Sequence, residues 1–229
     1  MTARAAPHVV RSTLLRIGRR LSPSTLANLR SLLSYLELGA WVRLAENGRP
    51  VAQVDAVFDL FAEALARVRG QRPLYLEFGV YKGRSMRWWS ENLTARDARL
   101  FGFDSFEGLP ESWRPGIEGG HFHTGAIPDI ADPRVSFVKG WFDDTVPGFE
   151  LPEHDQLIIN IDCDLYSSAA TVLRMLEPHI LPGTLIYFDE LPDRDHEMRA
   201  LFESLERSGL EVQPIAFARG GLAWLFQYK

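Results

Sequence analysis

Apolar side chains recur at roughly helical spacing across residues 9–46, at Leu14, Ile17, Leu21, Leu26, Leu29, Leu32, Leu33, Leu36 and Leu38. The pattern breaks near Ser22 and Pro23, so it predicts two helices, with arginines on their other faces. Asn47, Gly48, Arg49 and Pro50 end the pattern, and a further helix is predicted over Val54 to Val68, before Gly70 and Pro73. Beyond Pro73 the texture changes to short apolar runs alternating with helical stretches. Strands are predicted at Leu74 to Phe78, Leu100 to Phe103, Val135 to Val138, Leu157 to Ile161, Leu185 to Phe188, Glu211 to Phe217 and Leu222 to Gln227. Strand and helix in alternation specify βαβ units and a parallel sheet. Gly220 and Gly221 join the last two runs tightly, which makes that pair an antiparallel hairpin. The fold class is therefore α/β: a seven-stranded, mainly parallel, Rossmann-like sheet behind N-terminal helices. The division expected is a helical arm or lid over 1–50 and one α/β domain over 51–229.

The first predicted strand runs into Glu77, Phe78, Gly79, Val80, Tyr81, Lys82 and Gly83, and a helix begins near Arg84 or Ser85. Glycines at such a turn let the backbone approach a ligand and place a helix N-terminus beneath it. A dinucleotide fingerprint would need a glycine where Tyr81 stands, which disfavours a nicotinamide enzyme. The second strand ends at Asp104, 21 residues beyond Gly83. A carboxylate at that strand end can accept both ribose hydroxyl protons of an adenosine cofactor.

Glu-x-Gly-x-x-x-Gly resembles the first motif of class I S-adenosylmethionine-dependent methyltransferases. Three longer stretches narrow the likeness: Gly102 to Pro110 (GFDSFEGLP), Lys139 to Pro147 (KGWFDDTVP) and Ile161 to Ser168 (IDCDLYSS). Together they resemble the macrocin O-methyltransferase family, which methylates sugar hydroxyls of macrolides and related natural products. The resemblance covers roughly Leu74 to Leu201. It implies cofactor contacts from Glu77, Gly79, Gly83, Ser85, Asp104 and Ser105. It further implies Trp141 and Phe142 beside the adenine, with Asp143 near its amino group. The chain departs from the family in a shorter segment between Pro110 and Val135, which helps to roof the site there, and in Cys163, where a Gly is usual.

Asp162, Asp189 and Glu190 follow two predicted strands, at ends that face the ligand crevice in an open α/β sheet. Three convergent anions repel unless protonated or neutralised by a cation, and hard oxygen donors suit magnesium or calcium. The resemblance assigns magnesium to these positions, with Glu190 where Asp is commoner. It also implies Asp164 as general base beside Asp162, with the metal lowering the pKa of the acceptor hydroxyl. The competing reading is that Asp162 and Asp164 cap a helix from Ser167 and that Glu190 is solvated. His121 and His123 lie in the loop after the Asp104 motif; His196 and Glu197 open a helix that could support the acids. Cys163 has no activating base beside it and is discounted as a nucleophile.

Composition closes several routes. Apolar residues at 46% and charged residues at 24% match ordinary globular chains. The longest apolar runs are of strand length, so no transmembrane span is expected. Arg11, Arg16, Arg19 and Arg20 interrupt every candidate signal core, and the expected location is cytoplasmic. A single cysteine excludes an internal disulfide and a multi-thiol zinc site. Residues 1–50 carry eight arginines against Glu37 and Glu46, a net +6, which leaves −11 for the remainder of a chain whose total is −5. An acidic main body argues against nucleic acid as a partner. The expected partners are a small-molecule hydroxyl acceptor and, through the helical arm, a second copy in a homodimer or higher homo-oligomer. A catechol-type methyltransferase, or a non-catalytic adenosine-binding module recruited by the arm, remains open.

Overall fold

A computed structural model describes residues 8–45 and 50–229. Two helices, α1 (His8–Gly18) and α2 (Pro23–Ala45), lead into β1 (Ala52–Gln53) and α3 (Val57–Leu65). There follow β2 (Pro73–Phe78), α4 (Arg84–Asn92), β3 (Arg99–Asp104), β4 (Val135–Lys139) and α5 (Phe142–Thr145). The C-terminal half continues with β5 (Gln156–Ile161), α6 (Tyr166–Leu176), β6 (Leu185–Phe188), α7 (Glu197–Ser208), β7 (Val212–Ala218) and β8 (Ala223–Tyr228). Of the predicted break after α2, Asn47 to Arg49 lie outside the described residues.

One sheet runs in the order β1-β7-β8-β6-β5-β2-β3-β4. β8 is antiparallel to both β6 and β7, and every other pairing is parallel. The sheet therefore has eight strands rather than seven. The extra strand, Ala52–Gln53, pairs with Ala216 and Phe217; two exposed residues are too few to show a period of two in the sequence. The helix predicted over Val54 to Val68 is shorter, Val57–Leu65, because Val54 still donates to the Phe217 carbonyl as an extension of β1.

Every residue of β2 and of β6 is buried, as befits central strands covered on both faces. Leu74, Leu76 and Phe78 join Ile159, Ile161 and Phe188 in a core covered by α6 and α7. On the other face Tyr75, Ile158, Leu185 and Tyr187 pack with Leu60 and Phe61 of α3 and Met86 and Trp89 of α4. The sheet is thereby clamped on both sides, and the carboxyl ends of β2, β3, β5 and β6 come to one edge.

Candidate functional site

Those strand ends open on a cavity of about 890 Å³, whose lining includes Gly79, Asp104, Asp162 and Asp189. Gly79 follows β2 with φ +95°, and a Cβ there would stand 1.7 Å from the Asp162 carbonyl oxygen. Only glycine permits that approach. Asp104, at the end of β3, accepts the backbone N–H groups of Val80 and Tyr81 on Oδ2, both at 2.8 Å, and that of Phe106 on Oδ1 at 2.7 Å. One carboxylate thus braces both turns, and Oδ1, with a single N–H on it, keeps a lone pair for a ribose hydroxyl. Ser105 turns inward beside it, donating to the Gly108 carbonyl at 3.2 Å and accepting the Glu107 N–H at 3.0 Å.

Across the cavity α5 presents Trp141, Phe142 and Asp143, which all line it. The Phe142 ring meets Phe78 edge-on at 5.7 Å, and Asp143 Oδ1 accepts the Thr171 hydroxyl at 2.8 Å. Glu77, Gly83 and Ser85 are not part of the lining. Gly83 instead starts α4 in a left-handed conformation, φ +72°, with Pro128 where a Cβ would go.

Glu77 lies beneath the floor, 1% exposed. Asn160 Nδ2 donates to the Tyr75 hydroxyl at 2.9 Å, and that hydroxyl donates to Glu77 Oε2 at 3.1 Å. Burial is the main cause that lifts the Glu77 pKa from 4.5 to about 8. Between those values the folded chain holds a proton that the unfolded chain has released, so stability falls as pH rises through that window. Glu77→Gln removes the penalty. Its stability relative to wild type is expected to grow by roughly 3–5 kcal/mol between pH 4.5 and 8, read from urea midpoints at several pH values. Parallel curves for the two proteins would show that Glu77 is ionised in the fold.

Residues 76–191 match the family model described as a methyltransferase domain. The chain belongs to that methyltransferase family. It is 32% identical over 136 residues to the 8-demethyl-8-(2,3-dimethoxy-alpha-L-rhamnosyl)-tetracenomycin-C 4'-O-methyltransferase of Streptomyces olivaceus, covering 50% of this chain and 51% of that protein. It is 27% identical over 176 residues to the demethyldecarbamoylnovobiocin O-methyltransferase of Streptomyces niveus, covering 65% of this chain and 64% of that protein. The chain thus spans about half the length of the first relative and under two thirds of the second. Among solved structures, the calicheamicin methyltransferase CalS11 superposes with a TM-score of 0.58 at 22% identity, over 74% of this chain and 76% of that one, a likeness of fold. The cavity suits the family's cofactor, S-adenosylmethionine: its volume holds a ligand of that size, with a carboxylate, Asp104, on one wall and an indole, Trp141, on another.

The methyltransferase's acids share the same cavity. Asp162, Asp164, Asp189 and Glu190 all line it. Burial first, then the Asp189 and Asp164 carboxylates, push Asp162 well above the usual carboxylate range. Burial, reinforced by Glu190 and opposed by Arg114, raises Asp164 to about 7. Asp189 is held by two donors, Arg219 Nη1 at 2.7 Å and the Tyr187 hydroxyl at 2.5 Å. Glu190 pairs with Arg114 at 3.4 Å, and that guanidinium lies 3.6 Å over the Trp113 ring. Among the described residues no three His, Cys, Asp or Glu side chains are gathered as a metal-binding group. Two of the three expected ligands already have a cationic partner, so the arrangement does not fit a resident ion.

The capping alternative for Asp162 and Asp164 does not hold. Helix α6 starts at Tyr166 behind Leu165, with no side-chain cap. Asp164 sits instead in a left-handed turn, φ +63°. Buried Glu197 secures that turn, its Oε1 accepting the N–H groups of Cys163 and Asp164, both at 3.3 Å. His196 Nδ1 accepts the Tyr166 N–H at 3.3 Å. Of the loop segment His121 to His123, Phe122 is the member that lines the cavity. Sequence reasoning missed Arg114 and Arg219. Both lie in irregular segments where no periodicity marks a side chain's direction, and only the folded chain sets them against the acids.

Proposed function

We propose that this chain transfers a methyl group from S-adenosylmethionine to a hydroxyl of a sugar carried by a natural product. The observation that carries the reading is the convergence, in one cavity, of the Asp104-braced glycine turn and Asp164. The rhamnosyl acceptor in the name of the first relative supports the substrate class.

When bound, S-adenosylmethionine supplies a methyl group on a positively charged sulfur. Asp104 and Ser105 hold its ribose, Trp141 and Phe142 flank its adenine, and Asp143 meets the adenine amino group. Gly79 lets the cofactor lie against the carboxyl end of the sheet. Asp164, in its ionised form, accepts the acceptor's hydroxyl proton as the new oxygen–carbon bond forms and the carbon–sulfur bond breaks, the electron pair remaining on sulfur. Holding oxygen and methyl carbon in line supplies much of the rate. Residues 51–229 carry all of these groups, and 1–50 form the helical arm. No helix among the described residues is long and apolar enough to cross a membrane.

A magnesium-dependent form of the same reaction rests on one observation, that Asp162, Asp189 and Glu190 share the cavity. It requires Arg219 and Arg114 to leave their partners. Turnover is therefore expected to survive EDTA; loss restored by magnesium alone would establish the metal. The defining experiment incubates the chain with labelled methyl donor and a panel of glycosylated polyketides, glycosylated aminocoumarins and simple catechols, with products read by mass spectrometry. Methylated glycosides support the proposal. Transfer to catechols alone, or cofactor binding with no transfer to any acceptor, overturns it in favour of a phenol methyltransferase or an adenosine-binding module.

A further inference from the structure

Between residues 50 and 229 three Phe, Tyr or Trp rings stand exposed, Tyr81, Phe122 and Trp141, and all three line the active cavity. Trp141 has its place beside the adenine; the other two have no part in holding the cofactor or moving the proton. Their rings meet edge to face, with centroids 5.7 Å apart and planes at 76°. Both residues hold left-handed backbone, φ +51° at Tyr81 and +67° at Phe122, a conformation that bulky side chains avoid. The surrounding chain enforces it. Asp104 Oδ2 accepts the Tyr81 N–H at 2.8 Å. The loop that carries Phe122 is closed by the Leu109 N–H on the His121 carbonyl at 2.9 Å and the Gly120 N–H on the Leu109 carbonyl at 2.8 Å. Gly108 permits that crossing, since a Cβ there would lie 2.3 Å from the His121 carbonyl oxygen. Strain held in place by its surroundings at a ligand cavity points to function.

We propose that Tyr81 and Phe122 form a platform for a flat aromatic aglycone, so that the acceptor is a sugar already joined to such a ring system; the inference rests on the methyl-transfer reading. Two rings at right angles make a corner in which a third ring can stack on one and meet the other edge-on, the arrangements that aromatic pairs favour. The corner is exposed, whereas Asp164, beyond the end of β5, is half-buried. A hydroxyl delivered to Asp164 therefore leaves the group attached to its sugar among the exposed rings. Charge selects against a sugar still carried on a nucleoside diphosphate, whose base can also stack. Eight carboxylic side chains line the cavity against one guanidinium, Arg114, a lining that repels a diphosphate. The reaction that supplies the acceptor is thus glycosyl transfer to the aglycone, and methylation follows it.

Steady-state kinetics test this with a coumarin rhamnoside, methyl rhamnoside and a nucleoside diphosphate rhamnose, in the parent and in the double variant Tyr81→Asn, Phe122→Asn. Asparagine accepts left-handed backbone, so the variant is expected to melt no lower than the parent and to bind S-adenosylmethionine equally well. The parent is expected to prefer the coumarin rhamnoside over methyl rhamnoside by about tenfold or more in kcat/KM, and the variant to lose that preference. Should the double variant unfold, Phe122→Asn alone carries the comparison. A parent without the preference, a variant that loses the same factor on both glycosides or loses cofactor binding, or a parent that uses the nucleoside diphosphate sugar best overturns the inference and leaves methyl transfer standing. No transfer to any of the three acceptors overturns the methyl-transfer reading itself, and the platform with it.

Discussion

Asp164→Asn is expected to lower kcat by about 10²–10⁴-fold, the usual contribution of a positioned proton acceptor, with cofactor affinity unchanged. Asparagine is the informative replacement. It keeps the shape of the side chain and tolerates the left-handed backbone at φ +63°, so Glu197 can still hold the turn. What is lost is the charge that takes the hydroxyl proton. The wild-type pH profile should carry the same signature. Burial lifts the Asp164 carboxyl to about 7, so the base is protonated and idle below that pH and ionised above it. The kcat of the parent is expected to rise tenfold per pH unit below about 7 and to level off above it, and the residual rate of the variant should lack that inflection. Equal kcat in parent and variant would remove Asp164 from the chemistry and leave it a turn residue.

The second large effect is structural. Gly79→Ala sets a methyl group 1.7 Å from the Asp162 carbonyl oxygen, backbone against backbone, at φ +95°. No side-chain rotation relieves such a contact, so either β2 or β5 must shift at the point where both enter the cavity. A loss of about 4 kcal/mol or more is expected, which for a chain of this size lowers Tm by roughly 10 °C. Titration calorimetry with S-adenosylmethionine should show no binding. Gly116→Ala provides the control, because Gly116 has φ +88° with nothing within 4 Å of a Cβ. It isolates backbone strain, about 1–2 kcal/mol, from the collision. If the two variants cost the same, the close approach of the β2 turn to β5 is not what the fold depends on.

The charge arrangement at the acceptor end gives the site its character. Three carboxylates on two strand ends lead to the expectation of a cation, and the folded chain supplies guanidinium groups: Arg219 on Asp189 and Arg114 on Glu190. Arg114 comes from the loop between β3 and β4. Arg219 comes from the turn joining β7 and β8. Neither position carries a sequence signal, since a loop residue's partner is decided by where distant strands end.

The sequence by itself determined the strand–helix alternation, five strands and a closing hairpin, because buried parallel strands must be largely apolar and the connecting helices must show one apolar face. It also determined the glycine turn and Asp104, since positive φ and a strand-end carboxylate are local properties of the chain. Tertiary structure alone decided that Asp104 braces two turns, that Glu77 is sealed beneath the floor rather than facing the ligand, and that arginines occupy two of the three acids. Each of these depends on register between strands far apart in sequence. A pattern of residue types fixes which face of an element is covered, but not which charged group from elsewhere arrives to meet it.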